Sequence, residues 1–274
     1  MGEKRKIDAM LIGADRSGST WYKELCGQHP DIFVCPVSQR GFFSLSKGEF
    51  LSRGIVLKRM KITCSKRGVS FQRLEIVCPL ENYRGEKIVL GRRNMKPLHM
   101  RLQHGKKIPK LYLSHNKDMK FLLIIRNPID RTFSGFVTAM NHRIRRSDST
   151  SIFDINADLS IENPWVRKSL IYPLLEPYLS LFPVDRFLIF PMELMLKNPE
   201  YWLEKVFAFL GVKEDITFKD IHKLANPGKY SSATFVPLSS ESKRYLANLC
   251  MEDAKKMGEL SGIDLVTLWG LKNY

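Results

Sequence analysis

Gly13-Ala14-Asp15-Arg16-Ser17-Gly18-Ser19-Thr20 is the stretch on which the reading of this chain turns. Ahead of it, Ile7 to Gly13 is a short apolar run with the length and composition of a buried strand. Behind it, Ser17 to Gln28 follows as the helix, so the stretch forms the turn between the two. Two glycines flank four residues, and a hydroxyl residue then opens the helix. The backbone N–H groups of such a turn, together with the helix N-terminus, make a cradle for an anion. A nucleoside-triphosphate loop requires Lys where Ser19 stands; the basic residue here lies inside the loop, as Arg16. By itself the stretch also suits an ordinary strand-to-helix turn, because Gly and Ser favour turns for backbone reasons.

A second strand end removes that ambiguity. Phe121-Leu122-Leu123-Ile124-Ile125-Arg126-Asn127-Pro128 is a buried strand followed at once by a proline suited to the first turn of a helix. A nucleotide triphosphatase would end this kind of strand in Asp to hold magnesium, whereas this one ends in Arg126. Two loops that offer amides and cations, with no carboxylate at the second strand end for a metal, suit a nucleotide whose phosphates the protein neutralises directly. Ser134 lies eight residues beyond Arg126, just over two helical turns, and shares a face with the segment near it.

Outward from these loops, strands are expected at Asp31–Val34, Lys87–Leu90, Lys120–Arg126 and Arg186–Phe190. Helices are expected at Lys96–His104, from Pro128 to about Arg143, around 164–182, and at 198–210 and 239–258. Residues 44–83 read as basic and irregular, and 144–162 as a polar loop. Short apolar strands alternating with helices imply an α/β fold, a mostly parallel sheet with helices on both faces, whose ligands bind beyond the carboxyl ends of the strands. No repeat, low-complexity tract or linker interrupts the chain, so a single domain over 1–274 is expected.

Composition narrows the partners. Against 28 Asp and Glu stand 44 Lys and Arg, a net charge of +16, which favours anionic ligands. The excess lies in clusters at Lys58-Arg59-Met60-Lys61, Arg92-Arg93, Lys106-Lys107 and Arg143-Ile144-Arg145-Arg146. Aromatics interleaved with basic residues, as an RNA-binding sheet needs, are not evident, and no nucleic-acid partner is expected. Five scattered cysteines without a CxxC pair indicate neither zinc nor a disulfide framework, so reduced thiols are expected. No apolar run is long enough for a bilayer, and the start lacks a secretory core, which leads to the expectation of a soluble, cytoplasmic protein.

The two loops together resemble the PAPS-dependent sulfotransferases, where PAPS is 3′-phosphoadenosine 5′-phosphosulfate. Arg16-Ser17-Gly18-Ser19-Thr20 is similar to their 5′-phosphosulfate loop, and Arg126 through Ser134 to their 3′-phosphate motif, an Arg and a Ser eight apart around Asn-Pro. The likeness continues through His29-Pro30-Asp31, Phe42-Phe43, Gly85-Glu86-Lys87, Ser169-Leu170-Ile171-Tyr172, Pro191-Met192-Glu193-Leu194, Asn198-Pro199-Glu200 and Pro237-Leu238-Ser239 to Trp269. It implies the P-loop-like sulfotransferase fold and transfer of a sulfuryl group to a hydroxyl or amine without a metal. The product nucleotide would be 3′-phosphoadenosine 5′-phosphate (PAP). By the same resemblance Arg16, Ser17, Gly18, Ser19, Thr20 and Trp21 bind the 5′ side, although the apolar neighbours of Trp21 also suit the core. Arg126 and Ser134 bind the 3′-phosphate, Lys229 and Tyr230 belong to a loop over the nucleotide, and Lys87 reaches the sulfuryl group or acceptor.

Two departures from the family pattern matter. Many members carry Lys where this chain has Arg16; tyrosylprotein and several bacterial members carry Arg, which stabilises charge but is a poor proton donor. Carbohydrate-type members carry a catalytic Glu three residues before the aromatic pair, and here that place is held by Gln39. The candidates for a general base are then Glu49, Asp15 and His104, the last at about the distance from Arg126 seen in phenol-type members. The basic clusters lean toward a carbohydrate or other polar, anionic acceptor. A weakened PAP-binding homologue and a basic, non-catalytic polyanion binder remain the alternatives.

Overall fold

Five short apolar runs, far apart in sequence, lie side by side as one parallel sheet. The structure is a computed structural model that describes residues 6–35, 56–63, 70–77, 83–92, 107–147, 153–221 and 235–274. Its strands are β1 (Ala9–Gly13), β2 (Ile32–Val34), β3 (Val56–Thr63), β4 (Ser70–Val77), β5 (Ile88–Arg92), β6 (Lys120–Ile125), β7 (Phe153–Asp154), β8 (Phe187–Pro191) and β9 (Phe235–Val236). The helices are α1 (Ser19–Cys26), α2 (Lys107–His115), α3 (Pro128–Ser147), α4 (Pro164–Arg167), α5 (Tyr172–Leu179), α6 (Met192–Lys197), α7 (Pro199–Leu210), α8 (Ser240–Ser261) and α9 (Leu265–Leu268). The main sheet runs β2-β5-β1-β6-β8, and every pairing in it is parallel.

Alternation along each strand divides the core in two. Met10 and Ile12 of β1 and Phe121, Leu123 and Ile125 of β6 join Ile129, Val137, Leu175, Leu246 and Ala254 from α3, α5 and α8. Their neighbours Ala9, Leu11, Leu122 and Ile124 pack instead with Trp21 and Leu25 of α1 and Leu203 and Phe207 of α7. Helices thus cover both faces, which is why these strands read as continuous apolar runs. From β1 the chain passes through α1 to the edge strand β2; it later returns through β5 and crosses to β6 and β8 on the other side. The connections part at the carboxyl ends of β1 and β6, the place where open parallel sheets bind ligands.

Several expectations need correction. The stretch 44–83 contains an antiparallel hairpin, β3 with β4, whose register sets Val56 opposite Val77, Lys58 opposite Glu75 and Ile62 opposite Phe71. Its lysines and arginines interrupt the apolar alternation by which a strand is recognised. Within 144–162, α3 runs on to Ser147, and β7 pairs in parallel with β9. Helix α2 has no counterpart among the expected elements, since Pro109 stands in it; the place of that proline in the first turn explains why the helix tolerates it. The helix expected at Lys96–His104 lies outside the described residues. Cys35 is disulfide-bonded, against the expectation of five reduced thiols. Cys26 and Cys250 are free and buried, and burial pushes both thiols up to about 12, which keeps them unreactive. Among the described residues no helix is long and apolar enough to cross a membrane.

Two side chains, His29 and Asp253, tie distant segments of the chain together. His29 accepts from the Asp31 N–H at Nδ1 (2.9 Å) and therefore donates through Nε2 to the Lys213 carbonyl (2.9 Å), a structural role. Asp253 of α8 closes the start of α5 by accepting from the N–H groups of Ile171 (3.0 Å) and Tyr172 (2.7 Å). Burial pushes this carboxyl up to about 6, while the two N–H groups and Lys256 pull against the rise. An acid held above its ordinary 3.8 stabilises the fold while protonated, so this contribution is complete below that value and is lost as pH rises through about 6. Relative to Asp253→Asn, the parent should lose up to about 3 kcal/mol between about pH 4 and 7, because each pH unit crossed between the two values costs about 1.36 kcal/mol. Urea melts of both proteins across that range check it; a difference that stays constant would refute the raised value.

Candidate active site

The loop after β1 is lashed to the neighbouring strand, for the Ala14 N–H donates to the carbonyl of Ile124 in β6. Arg16 (φ 69°) and Gly18 (φ 77°) both take left-handed backbone. Glycine adopts it freely, and a Cβ at Gly18 would also come within 3.4 Å of Met195 Cε. For Arg16 the same conformation costs about 1–2 kcal/mol, so the guanidinium is held in a backbone that disfavours it. Gly18 caps α1 without a side-chain bond, and no acidic residue stands in the first turn. The Ser17 hydroxyl is fully buried beneath the loop and has no hydrogen-bond partner among the described residues, and the Trp21 indole N–H is likewise unpartnered.

The second loop closes on the first. Arg126, directly after β6, donates from Nη1 to the Arg16 carbonyl at 3.2 Å. Arg16 in turn donates from Nε to the hydroxyl of Ser134 on α3 at 3.3 Å. The expected cluster of Arg16, Ser17, Gly18, Ser19 and Thr20 with Arg126 and Ser134 is therefore one locality, assembled because β1 and β6 are neighbours in the sheet.

Arg131, which neither sequence motif singles out, lies close by. It is only 1% exposed and donates from Nη1 to the Ser169 hydroxyl (2.9 Å) and the Trp165 carbonyl (3.4 Å), while its Nε has no partner among the described residues. Ser169 also meets the Thr132 hydroxyl at 2.6 Å. Burial lowers the Arg131 guanidinium to about 10; Asp15 works against this, and the charges of Arg126 and Arg16 add to it. At neutral pH the Arg131 guanidinium stays charged and is repelled by Arg126 and Arg16. Such a site favours an anion that relieves the repulsion. The only signal of it in the sequence is a further basic residue between Arg126 and Ser134, one turn into α3.

Lys87 is not brought to this locality. It precedes β5, at the amino end of the sheet, and pairs with Asp31 Oδ2 at 3.2 Å with its side chain 62% exposed. The parallel register, Ala9 to Leu90 and Leu11 to Arg92, sets the far end of β5 beside the end of β1 that carries the loop. The residue at that end is Arg92, which in the sequence stands out only as part of a basic cluster. Gln39, Glu49, His104, Lys229 and Tyr230 lie outside the described residues. Asp15 stands half-buried in the loop itself. Among the described residues no three His, Cys, Asp or Glu side chains gather as a metal site.

Comparison with known proteins adds to this geometry. A family profile described as the sulfotransferase domain matches residues 6–256. Heparan sulfate glucosamine 3-O-sulfotransferase 3B1 of Mus musculus is 28% identical over 228 residues, 81% of this chain and 50% of that protein. Heparan sulfate glucosamine 3-O-sulfotransferase 6 of Homo sapiens is 21% identical over 231 residues, 83% of this chain and 58% of that protein. The chain thus spans about half the length of the curated relatives it matches. A crystal structure of a sulfotransferase from Alicyclobacillus acidocaldarius shares the fold, with a TM-score of 0.63 at 19% identity over 97% of this chain and 99% of that one.

Proposed function

Because the chain belongs to the sulfotransferase domain family, we propose that it transfers a sulfuryl group from PAPS to a hydroxyl of a polar or anionic glycan. The observation that most supports PAPS as donor is the bond from Arg16 to Ser134, which joins the residue expected at the 5′-phosphosulfate to one expected at the 3′-phosphate across 118 positions of sequence. A nucleotide with anions at both its 5′ and 3′ positions uses both halves of that locality. The uncapped start of α1, the orphaned Ser17 hydroxyl and the mutually repelling guanidinium groups all fit such a ligand.

Bound there, PAPS supplies the electrophilic sulfuryl group. The loop N–H groups and Arg16 hold the 5′-phosphosulfate and stabilise the charge that grows on the leaving oxygen, and Arg126 and Ser134 hold the 3′-phosphate. Arg16 acts by charge and does not give up its proton. No metal is required in this reading, since the cations come from the chain. The net charge of +16 and relatives named for heparan sulfate favour a glycan acceptor. The disulfide at Cys35 favours maturation in an oxidising compartment over the cytoplasmic placement expected from sequence.

Calorimetry with PAP and with AMP, each with EDTA, followed by transfer assays from labelled PAPS to heparan-type glycans and small polar acceptors, tests the proposal. PAP should bind at least about tenfold tighter than AMP, the equivalent of one charge-assisted bond. Binding without transfer would instead identify a nucleotide-binding homologue. Equal binding of the two nucleotides, or a magnesium requirement, would overturn the proposal.

A further inference from the structure

Asn127, the residue after Arg126, has its backbone and side-chain polar groups engaged. Its N–H donates to Glu193 Oε1 (2.8 Å), its amide Nδ2 to the Trp269 carbonyl (3.3 Å), and its Oδ1 accepts from the Ile129 N–H (3.0 Å). Its own carbonyl accepts from the Arg131 N–H at 2.9 Å. Glu193 Oε2 accepts from the Trp269 indole at 3.2 Å, which closes a ring of three hydrogen bonds through Asn127, Glu193 and Trp269. These residues lie just after β6, in the first turn of α6 and just after α9. Trp269 is itself buried in the core beside the sheet, so the ring is anchored rather than draped over the surface.

We propose that Glu193 is a positioning residue for the 3′-phosphate site and that Trp269 is its second anchor, which makes the C-terminal segment part of nucleotide binding. This rests on the reading of Arg126 and Ser134 as the 3′-phosphate ligands. The peptide joining Arg126 to Asn127 is gripped through Glu193, and the Asn127 side chain through Trp269 and the start of α3. The direction in which the Arg126 side chain leaves the backbone is thereby set, and with it the bond from Arg126 to the Arg16 carbonyl. A ring that served only stability would, when broken, weaken every nucleotide alike. A positioning ring weakens selectively those that carry a 3′-phosphate.

Glu193→Gln keeps the shape of the side chain, but its NH2 group must then face one of two N–H donors, so at least one bond is lost. Trp269→Phe removes the indole N–H and keeps most of the ring. Each variant should weaken PAP binding by about 3- to 30-fold while AMP affinity changes less than about twofold. KM for PAPS should rise correspondingly, with kcat within about threefold of the parent. The double variant should lose less than the product of the two single losses, since both break the same contact. Equal losses for PAP and AMP, unchanged PAP binding, or fully multiplicative losses would overturn the inference. If melting shows that Glu193→Gln does not fold, Trp269→Phe alone decides. A parent that itself does not prefer PAP over AMP overturns the 3′-phosphate reading and this inference with it, whereas a parent with that preference and variants that keep it overturn only the inference.

Discussion

Arg16→Gly is expected to leave the protein about as stable as its parent and to remove nearly all of its activity. Glycine relieves the left-handed backbone at position 16 (φ 69°), worth about 1–2 kcal/mol, and also ends the repulsion that the Arg16 charge exerts on Arg131. Against this stand the greater freedom of glycine in the unfolded chain, about 0.5–1 kcal/mol, and the lost bond to Ser134, about 1 kcal/mol. The sum is near zero. Catalysis has no such compensation: a preorganised donor aimed at developing charge is worth about 10²- to 10³-fold in kcat. Arg16→Ala removes the same charge but keeps the backbone penalty, so it should match the glycine variant in activity and melt below it. Measuring kcat at saturating PAPS together with urea melts for the two variants separates the contributions. A glycine variant that retained more than about a tenth of the parent kcat would remove Arg16 from the reaction, because the stated range for such a donor begins at about 10²-fold.

The second large effect is expected at Arg126. A charge-assisted hydrogen bond contributes about 1.5–3 kcal/mol, or ten- to a hundredfold in affinity. Arg126→Ala forfeits the bond proposed to the 3′-phosphate and also the bond to the Arg16 carbonyl that ties the two loops together. PAP should then bind little better than AMP, and the dependence of affinity on salt should become shallower. Arg126→Lys restores a charge but not a planar fork, so it should recover only part of the preference. The profile differs from that at Arg16: here the loss falls on binding, and saturating PAPS should recover much of kcat. A variant that kept the full preference for PAP would show that the 3′-phosphate lies elsewhere.

Much of this molecule is local in origin and legible for that reason. Continuous apolar runs announce β1, β6 and β8 because a strand buried on both faces needs no polar side. Pro128 announces the start of α3, and the glycines around Arg16 announce the turn between β1 and α1, because turn chemistry depends on a few consecutive residues. The same locality hides other elements. In β3 and β4 the basic residues interrupt the alternation, so the hairpin emerges only when each strand has the other to pair with.

The sequence alone therefore determined the class of fold, the two loops that follow β1 and β6 and the family likeness that joins them. Tertiary structure decided which residues meet. Only the parallel register of β5 with β1 moves Lys87 to the amino end of the sheet and sets Arg92 at the other, since a lysine after Gly-Glu looks the same at either end. Only the pairing of β1 with β6 brings Arg16 to Arg126 and Ser134. Arg131 and Trp269 are ordinary residues until burial strips water from them, and with the half-buried Glu193 they make their hydrogen bonds across long stretches of chain. Propensity and periodicity are properties of neighbours in sequence, whereas desolvation and long-range hydrogen bonds exist only among neighbours in space.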